Sequence, residues 1–92
     1  AQAAAIRAER GRVSAGLAAV AGVEVFPSAA NFLLFRVAEP DAVFAGLKAR
    51  GILIKNVARA HPLLEGCLRV TIGTPEENEA FLAALRESLA AP

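Results

Sequence analysis

Apolar residues recur along this chain in two rhythms, and the changes between them mark out seven elements. From about residue 3 to 20, Ile6, Val13, Leu17 and Val20 recur near helical spacing, with alanine filling the intervals. Gly11 and Gly16 weaken that helix by about 1 kcal/mol each relative to alanine, and Gly22 is placed to stop it. Residues 23–26 read as a short strand ended by Pro27. Residues 28–31, Ser-Ala-Ala-Asn, read as a turn. Residues 32–37 form a strand with Leu33, Phe35 and Val37 on one face and Phe32 and Leu34 on the other, where Arg36 interrupts. A strand apolar on both faces needs cover on both sides.

Glu39-Pro40-Asp41 opens the next helix, because proline suits a first turn and acids suit its positive end. Val43, Phe44 and Leu47 form its buried stripe, Lys48 and Arg50 sit near its end, and Gly51 closes it. Residues 52–56 predict a strand with Ile52 and Ile54 on one side and Leu53 and Lys55 on the other. A loop with Pro62 spans 57–66, and a further strand spans 67–72. Thr74, Pro75 and Glu77 spell a capped helix start with a capping box, followed by the stripe Phe81, Leu82, Leu85 and Leu89. The order is α-β-β-α-β-β-α. It predicts an α+β two-layer sandwich, a small mostly antiparallel sheet with helices on one face.

Ninety-two residues make one domain with a thin core. Yet 55% of them are hydrophobic and mean hydropathy is +0.46, more than a small sphere hides alone. The chain is therefore expected either to be part of something larger, the favoured reading, or to oligomerise. No apolar run approaches the roughly 20 residues of a membrane span. The opening Ala1-Gln2-Ala3-Ala4-Ala5 lacks the basic start of a secretion signal, and the missing methionine suggests an internal start. A net charge of +1 gives no electrostatic footprint for nucleic acid. Arg7, Arg10 and Arg12 cluster, but Glu9 sits among them and they read as a solvated helix face. One cysteine excludes an internal disulfide framework and suits a reducing compartment.

The chemistry concentrates in the 67–72 strand. Alternation sends Leu68, Val70 and Ile72 one way and Cys67, Arg69 and Thr71 the other. A guanidinium in such a strand is costly unless an anion meets it. Two readings stay open. Arg69 forms a structural ion pair with Glu24 or Glu65, or it grips an external carboxylate with its bidentate fork. Lys55 is either a solvated strand-end lysine or, with Asn56 beside it, a point charge for phosphate. Asn31 reads as a turn residue, His61 as a loop histidine and Cys67 as a small buried hydrophobe. No glycine-rich phosphate loop, HExxH, CxxC or Gly-x-Ser-x-Gly occurs, and there is no tyrosine or tryptophan. By itself the chain is not expected to be a catalyst.

Three segments together carry a resemblance: Ser28-Ala29-Ala30-Asn31-Phe32-Leu33-Leu34-Phe35-Arg36-Val37, Gly51-Ile52-Leu53-Ile54-Lys55-Asn56, and the long run from His61 to Asn78 with Leu68-Arg69-Val70-Thr71-Ile72-Gly73 at its centre. From Arg7 to Leu89 the chain resembles the C-terminal small domain of histidinol-phosphate aminotransferase, among the fold-type-I enzymes that use pyridoxal 5'-phosphate (PLP). The resemblance implies that 1–92 is a substrate-binding small domain whose large, cofactor-holding domain is absent, with no catalytic or cofactor-binding residue of its own. Arg69 matches the arginine that binds the substrate α-carboxylate. Lys55 stands where many relatives have an arginine near the substrate phosphate, which keeps a cation but loses the planar fork. Asn31 is a third substrate-binding candidate. The implied reaction moves an amino group between glutamate and imidazole-acetol phosphate in histidine biosynthesis. The implied protein is a cytoplasmic homodimer with no nucleic-acid or membrane partner. Alternatives are the small domain of a related aromatic or other aminotransferase, a freestanding small-molecule-binding regulatory module, or an interaction domain that pairs through its sheet.

Overall fold

The two longest strands lie side by side at the centre of one antiparallel sheet. The structure, a computed structural model, describes residues 3–28 and 30–90. Ala1 and Gln2, read above for a leader pattern, and Ala29 in the expected turn lie outside the described residues. The elements run α1 (Ala3–Ala18), β1 (Glu24–Val25), β2 (Phe32–Arg36), α2 (Pro40–Ala49), β3 (Lys55–Asn56), a 3₁₀ turn (Pro62–Leu64), β4 (Cys67–Thr71) and α3 (Pro75–Ala90). The sheet order is β1-β2-β4-β3, with every neighbouring pair antiparallel. This is the expected α+β order and layering.

One face of the sheet carries the core. Leu33 and Phe35 of β2 and Leu68 and Val70 of β4 pack with Val13 and Leu17 of α1, Val43 and Leu47 of α2, and Phe81, Leu82 and Leu85 of α3. The Phe35 and Phe81 rings meet edge to face, 5.8 Å between centroids. Gly16 earns its place in α1 here. A methyl group at that position would stand 2.8 Å from Leu82 Cδ1, so the glycine that weakens the helix lets α1 lie close to α3. The capping box of α3 forms as read: Thr74 N–H donates to Glu77 Oε1 at 2.9 Å, and Glu77 N–H donates to Thr74 Oγ1 at 3.1 Å.

Two boundaries differ from the sequence reading. Helix α1 ends at Ala18 rather than near 20. Its last turn tightens through Val20 N–H donating to Leu17 O at 3.1 Å, and the chain reverses at Gly22 with φ of 85°. The third strand is shorter than the expected 52–56, and only Lys55 and Asn56 pair with β4. Gly51 has φ of 82°, and Ile52 N–H donates to the α2 carbonyl of Leu47 at 2.9 Å. That bond ties the start of the segment to the helix and holds residues 52–54 off the sheet.

Candidate functional site

The register of β4 decides which side chains can act together. Arg69 lies opposite Leu34 on β2 and opposite Lys55 on β3. Directly opposed residues project to the same side of a sheet, with Cα atoms about 5 Å apart. The face away from the helices therefore carries Phe32, Leu34, Arg36, Cys67, Arg69, Thr71 and Lys55. Arg69 and Lys55 are two cations side by side. Like charges directly opposed are unfavourable in a ladder unless an anion is shared between them.

Both arginines on this face stack on phenylalanine. The Arg69 guanidinium carbon is 5.1 Å from the Phe32 ring centroid, and that of Arg36 is 5.0 Å from the Phe26 centroid. Their polar surroundings differ. Arg36 donates from Nε to Glu65 O at 2.8 Å, from one terminal nitrogen to Leu63 O at 3.0 Å, and from the other to Glu24 Oε1 at 3.2 Å. The two acids named as possible partners of Arg69 thus both serve Arg36, Glu24 by its carboxylate and Glu65 by its backbone. Among the described residues Arg69 makes no ion pair. Its donors face an opening of about 610 Å³ bordered by Lys55, Thr71, Ile52, Ile54 and Phe81. Of the two readings of Arg69, the internal ion pair is absent and the free fork remains.

The ends of the site are held by side chains away from it. Asp41 in the first turn of α2 accepts from Asn56 Nδ2 at 3.0 Å and from both terminal nitrogens of Arg59. Arg59 first and Asn56 second hold the Asp41 carboxyl below its ordinary range, and Asp41 in turn raises the Arg59 guanidinium. This clasp fixes the residue next to Lys55. At the far end of β4, Asn78 is 3% exposed. Its Oδ1 accepts from Gly73 N–H at 2.9 Å, and its Nδ2 donates to Gly73 O at 3.1 Å and to Glu9 Oε1 at 2.8 Å. Hydrogen bonds from Arg12 and then Asn78 lower the Glu9 carboxyl.

The structure thus brings Arg69 and Lys55 together and leaves Asn31 at the end of β2. Asn31 is exposed, and its backbone carbonyl accepts from Ile72 N–H at 2.7 Å, so its observed bond is to the backbone of the chain after β4. His61 Nδ1 accepts from Leu63 N–H at 3.1 Å and caps the 3₁₀ turn. Cys67 is 1% exposed, as a small hydrophobe would be. Two residues had no role in the sequence reading. Phe32 as a platform was legible from alternation, once β2 was set beside β4. Asn78 was legible from its spacing with Phe81, Leu82 and Leu85, which puts an amide on a buried helix stripe.

No family model matches the chain. Curated relatives do. Histidinol-phosphate aminotransferase 2 of Cupriavidus pinatubonensis is 61% identical over 88 residues, which is 96% of this chain and 24% of that protein. Histidinol-phosphate aminotransferase of Methylibium petroleiphilum is 55% identical over 92% of this chain and 23% of its own length. Among solved structures, histidinol-phosphate aminotransferase from Clostridium acetobutylicum matches with a TM-score of 0.81 and 27% identity, over 89% of this chain and 25% of that one. L-threonine-O-3-phosphate decarboxylase from Porphyromonas gingivalis matches with a TM-score of 0.83 and 26% identity, over 92% and 27%. The chain spans about a quarter of the length of the relatives it matches. Over nearly all of its own residues, it is a homologue of a segment of the histidinol-phosphate aminotransferases.

Proposed function

We propose that this chain is the C-terminal small domain of a PLP-dependent aminotransferase, and that the outer face of its sheet supplies the cationic part of the substrate site. The observation that carries the reading is the opposition of Arg69 and Lys55 across β4 and β3, with no ion pair to either among the described residues. The planar Arg69 fork, steadied on Phe32, suits the α-carboxylate of glutamate. Lys55 adds an exposed point charge that suits phosphate. Histidinol phosphate has no carboxylate, so Arg69 serves glutamate in one half-reaction and meets phosphate oxygens beside Lys55 in the other. The names of the relatives favour this division: histidinol phosphate and threonine O-phosphate both carry a phosphate. Asn31, at the mouth of the same face, is the third proposed substrate contact.

The cofactor supplies the electron sink for chemistry at the amino-bearing carbon. The residues of this chain do not fit it. The chain has two lysines, Lys48 near the end of α2 and Lys55, and no tyrosine. Glu24, the acid among the outward strand residues described, is taken by Arg36. The proposed protein therefore holds PLP in its large domain, acts in histidine biosynthesis, and works as a cytoplasmic homodimer.

The test is amino transfer by the intact protein. Glutamate and imidazole-acetol phosphate are expected to react to 2-oxoglutarate and histidinol phosphate, and Arg69→Lys is expected to weaken the glutamate half-reaction while the cofactor absorbance stays normal. Transfer to an aromatic keto acid alone would assign a different aminotransferase. No transfer to any acceptor would overturn the reading.

A further inference from the structure

Beside the cationic pair, the sheet comes apart. Antiparallel strands turn the backbone groups of alternate residues to opposite edges. Val37 N–H donates to Gly66 O, and Ile72 N–H donates to Asn31 O, both across to the β2 side. By alternation Leu68 and Val70 face β2 as well, while Arg69 and Thr71 face β3. Arg69 finds Lys55 there. Continuing the register would set Thr71 opposite Leu53, but residues 52–54 have splayed away. No backbone hydrogen bond joins Leu53 or Ile54 to another described residue outside the regular elements. Beyond Thr71 the slot is closed, because Asn78 binds both backbone groups of Gly73.

The walls of this slot are sided. Towards the helices they are Ile52, Ile54, Val70 and Phe81, and towards the outer face they are Lys55, Arg69 and Thr71. Leu53 is 76% exposed on the splayed segment. Residues 51–55 alternate exposed and half-buried, as a strand does. An open edge with a large exposed apolar residue is what folded chains ordinarily cover. A compact ligand leaves such a row of backbone groups unmet, whereas an extended peptide meets them one for one.

We infer that the slot between residues 52–54 and the end of β4 receives an extended segment of polypeptide from outside residues 1–92 of the same protein, added as a strand. Its inward side chain is apolar, to meet Ile54, Val70 and Phe81. Its outward neighbour is acidic or a hydrogen-bond acceptor, to match Arg69 and Lys55. The source fits the relatives, in which most of the polypeptide lies outside the matched region. The inference rests on the reading of this chain as one domain of a longer enzyme, and it borders the proposed substrate site without sharing its test.

The experiment replaces Leu53 with the photo-crosslinker p-benzoylphenylalanine in the intact protein, with amide exchange measured on the unmodified protein. The expected result is an intramolecular crosslink to a segment outside residues 1–92, together with Leu53 and Thr71 amides slowed by roughly 100-fold or more relative to an unstructured peptide. A crosslink to a second copy, or to residues 69–73 of the same chain, would overturn the inference, as would unprotected amides at both positions. Amino transfer, assayed on the same sample, stays intact in those cases if only this inference fails.

Discussion

Arg36 and Arg69 stand on one face of one sheet, each over a phenylalanine ring at 5.0 and 5.1 Å, yet they are built for different ends. Arg36 spends its donors on Glu24 and on two carbonyls of the 61–66 loop. Arg69 has another cation across the ladder and an opening in front. The difference arises from position in the sheet rather than from residue type. Arg36 lies beside β1 and under a loop that turns its carbonyls inward. Arg69 lies beside a two-residue strand whose facing residue is Lys55. A guanidinium saturated by its own chain holds structure, and one left with free donors holds a ligand.

Four substitutions sharpen that contrast. The largest effect belongs to Arg69→Ala in the intact enzyme. Losing a charge-assisted, bidentate contact worth about 2–3 kcal/mol raises the glutamate KM by roughly 30- to 150-fold. The melting temperature stays near that of the parent protein, since Arg69 has no ion pair to lose. An unchanged KM with a lowered Tm would make Arg69 a structural residue and erase the contrast. Next comes Arg36→Ala, which removes three half-exposed hydrogen bonds and a ring contact. It costs about 1–3 kcal/mol of stability in urea unfolding with little change in glutamate KM.

Lys55→Ala is smaller and more selective. Loss of one exposed cation is expected to raise the KM for the phosphate-bearing substrate by roughly 5- to 10-fold and to leave glutamate nearly untouched. Equal losses for both would point to damage in the fold. Phe32→Leu removes the platform beneath Arg69 and keeps an apolar filler, so the glutamate KM rises only about 2- to 5-fold.

The smallest effect concerns the clasp behind Lys55. Hydrogen bonds from Arg59 and Asn56 depress the Asp41 carboxyl in the folded chain. A depressed carboxyl contributes stability that is fully present above its unfolded value, near about 3.9, and is lost as pH falls through the lower folded value. Both groups are exposed, so the effect is slight. Thermal melts between about pH 5 and pH 3 are expected to fall a little further in the parent protein than in Asp41→Asn. Parallel curves would remove the clasp from the account.

The sequence reading went furthest where chemistry is local. Thr74, Pro75 and Glu77 foretold the start of α3 because a capping box involves only neighbours in the chain. Alternation in 67–72 foretold that Arg69 leaves the core, because the pleat fixes that direction whatever lies alongside. It failed for 52–56, where the pattern is that of a strand but the backbone partner belongs to tertiary structure. It also offered Glu24 and Glu65 to the wrong arginine, since no local rule says which of two outward arginines lies beside which acid. Gly16 looked like a flaw in a helix until Leu82 was seen against it.

By itself, then, the sequence determined the order of elements, the face each side chain takes and the capped turn after the arginine strand. All of these follow from periodicity and short-range hydrogen bonding. The tertiary structure alone decided that Lys55 faces Arg69, that Arg36 is satisfied while Arg69 is not, and that Asn78 closes the end of the slot. Each depends on which distant strand or helix becomes a neighbour, and that choice is made by burial of the common core rather than by any residue at the site.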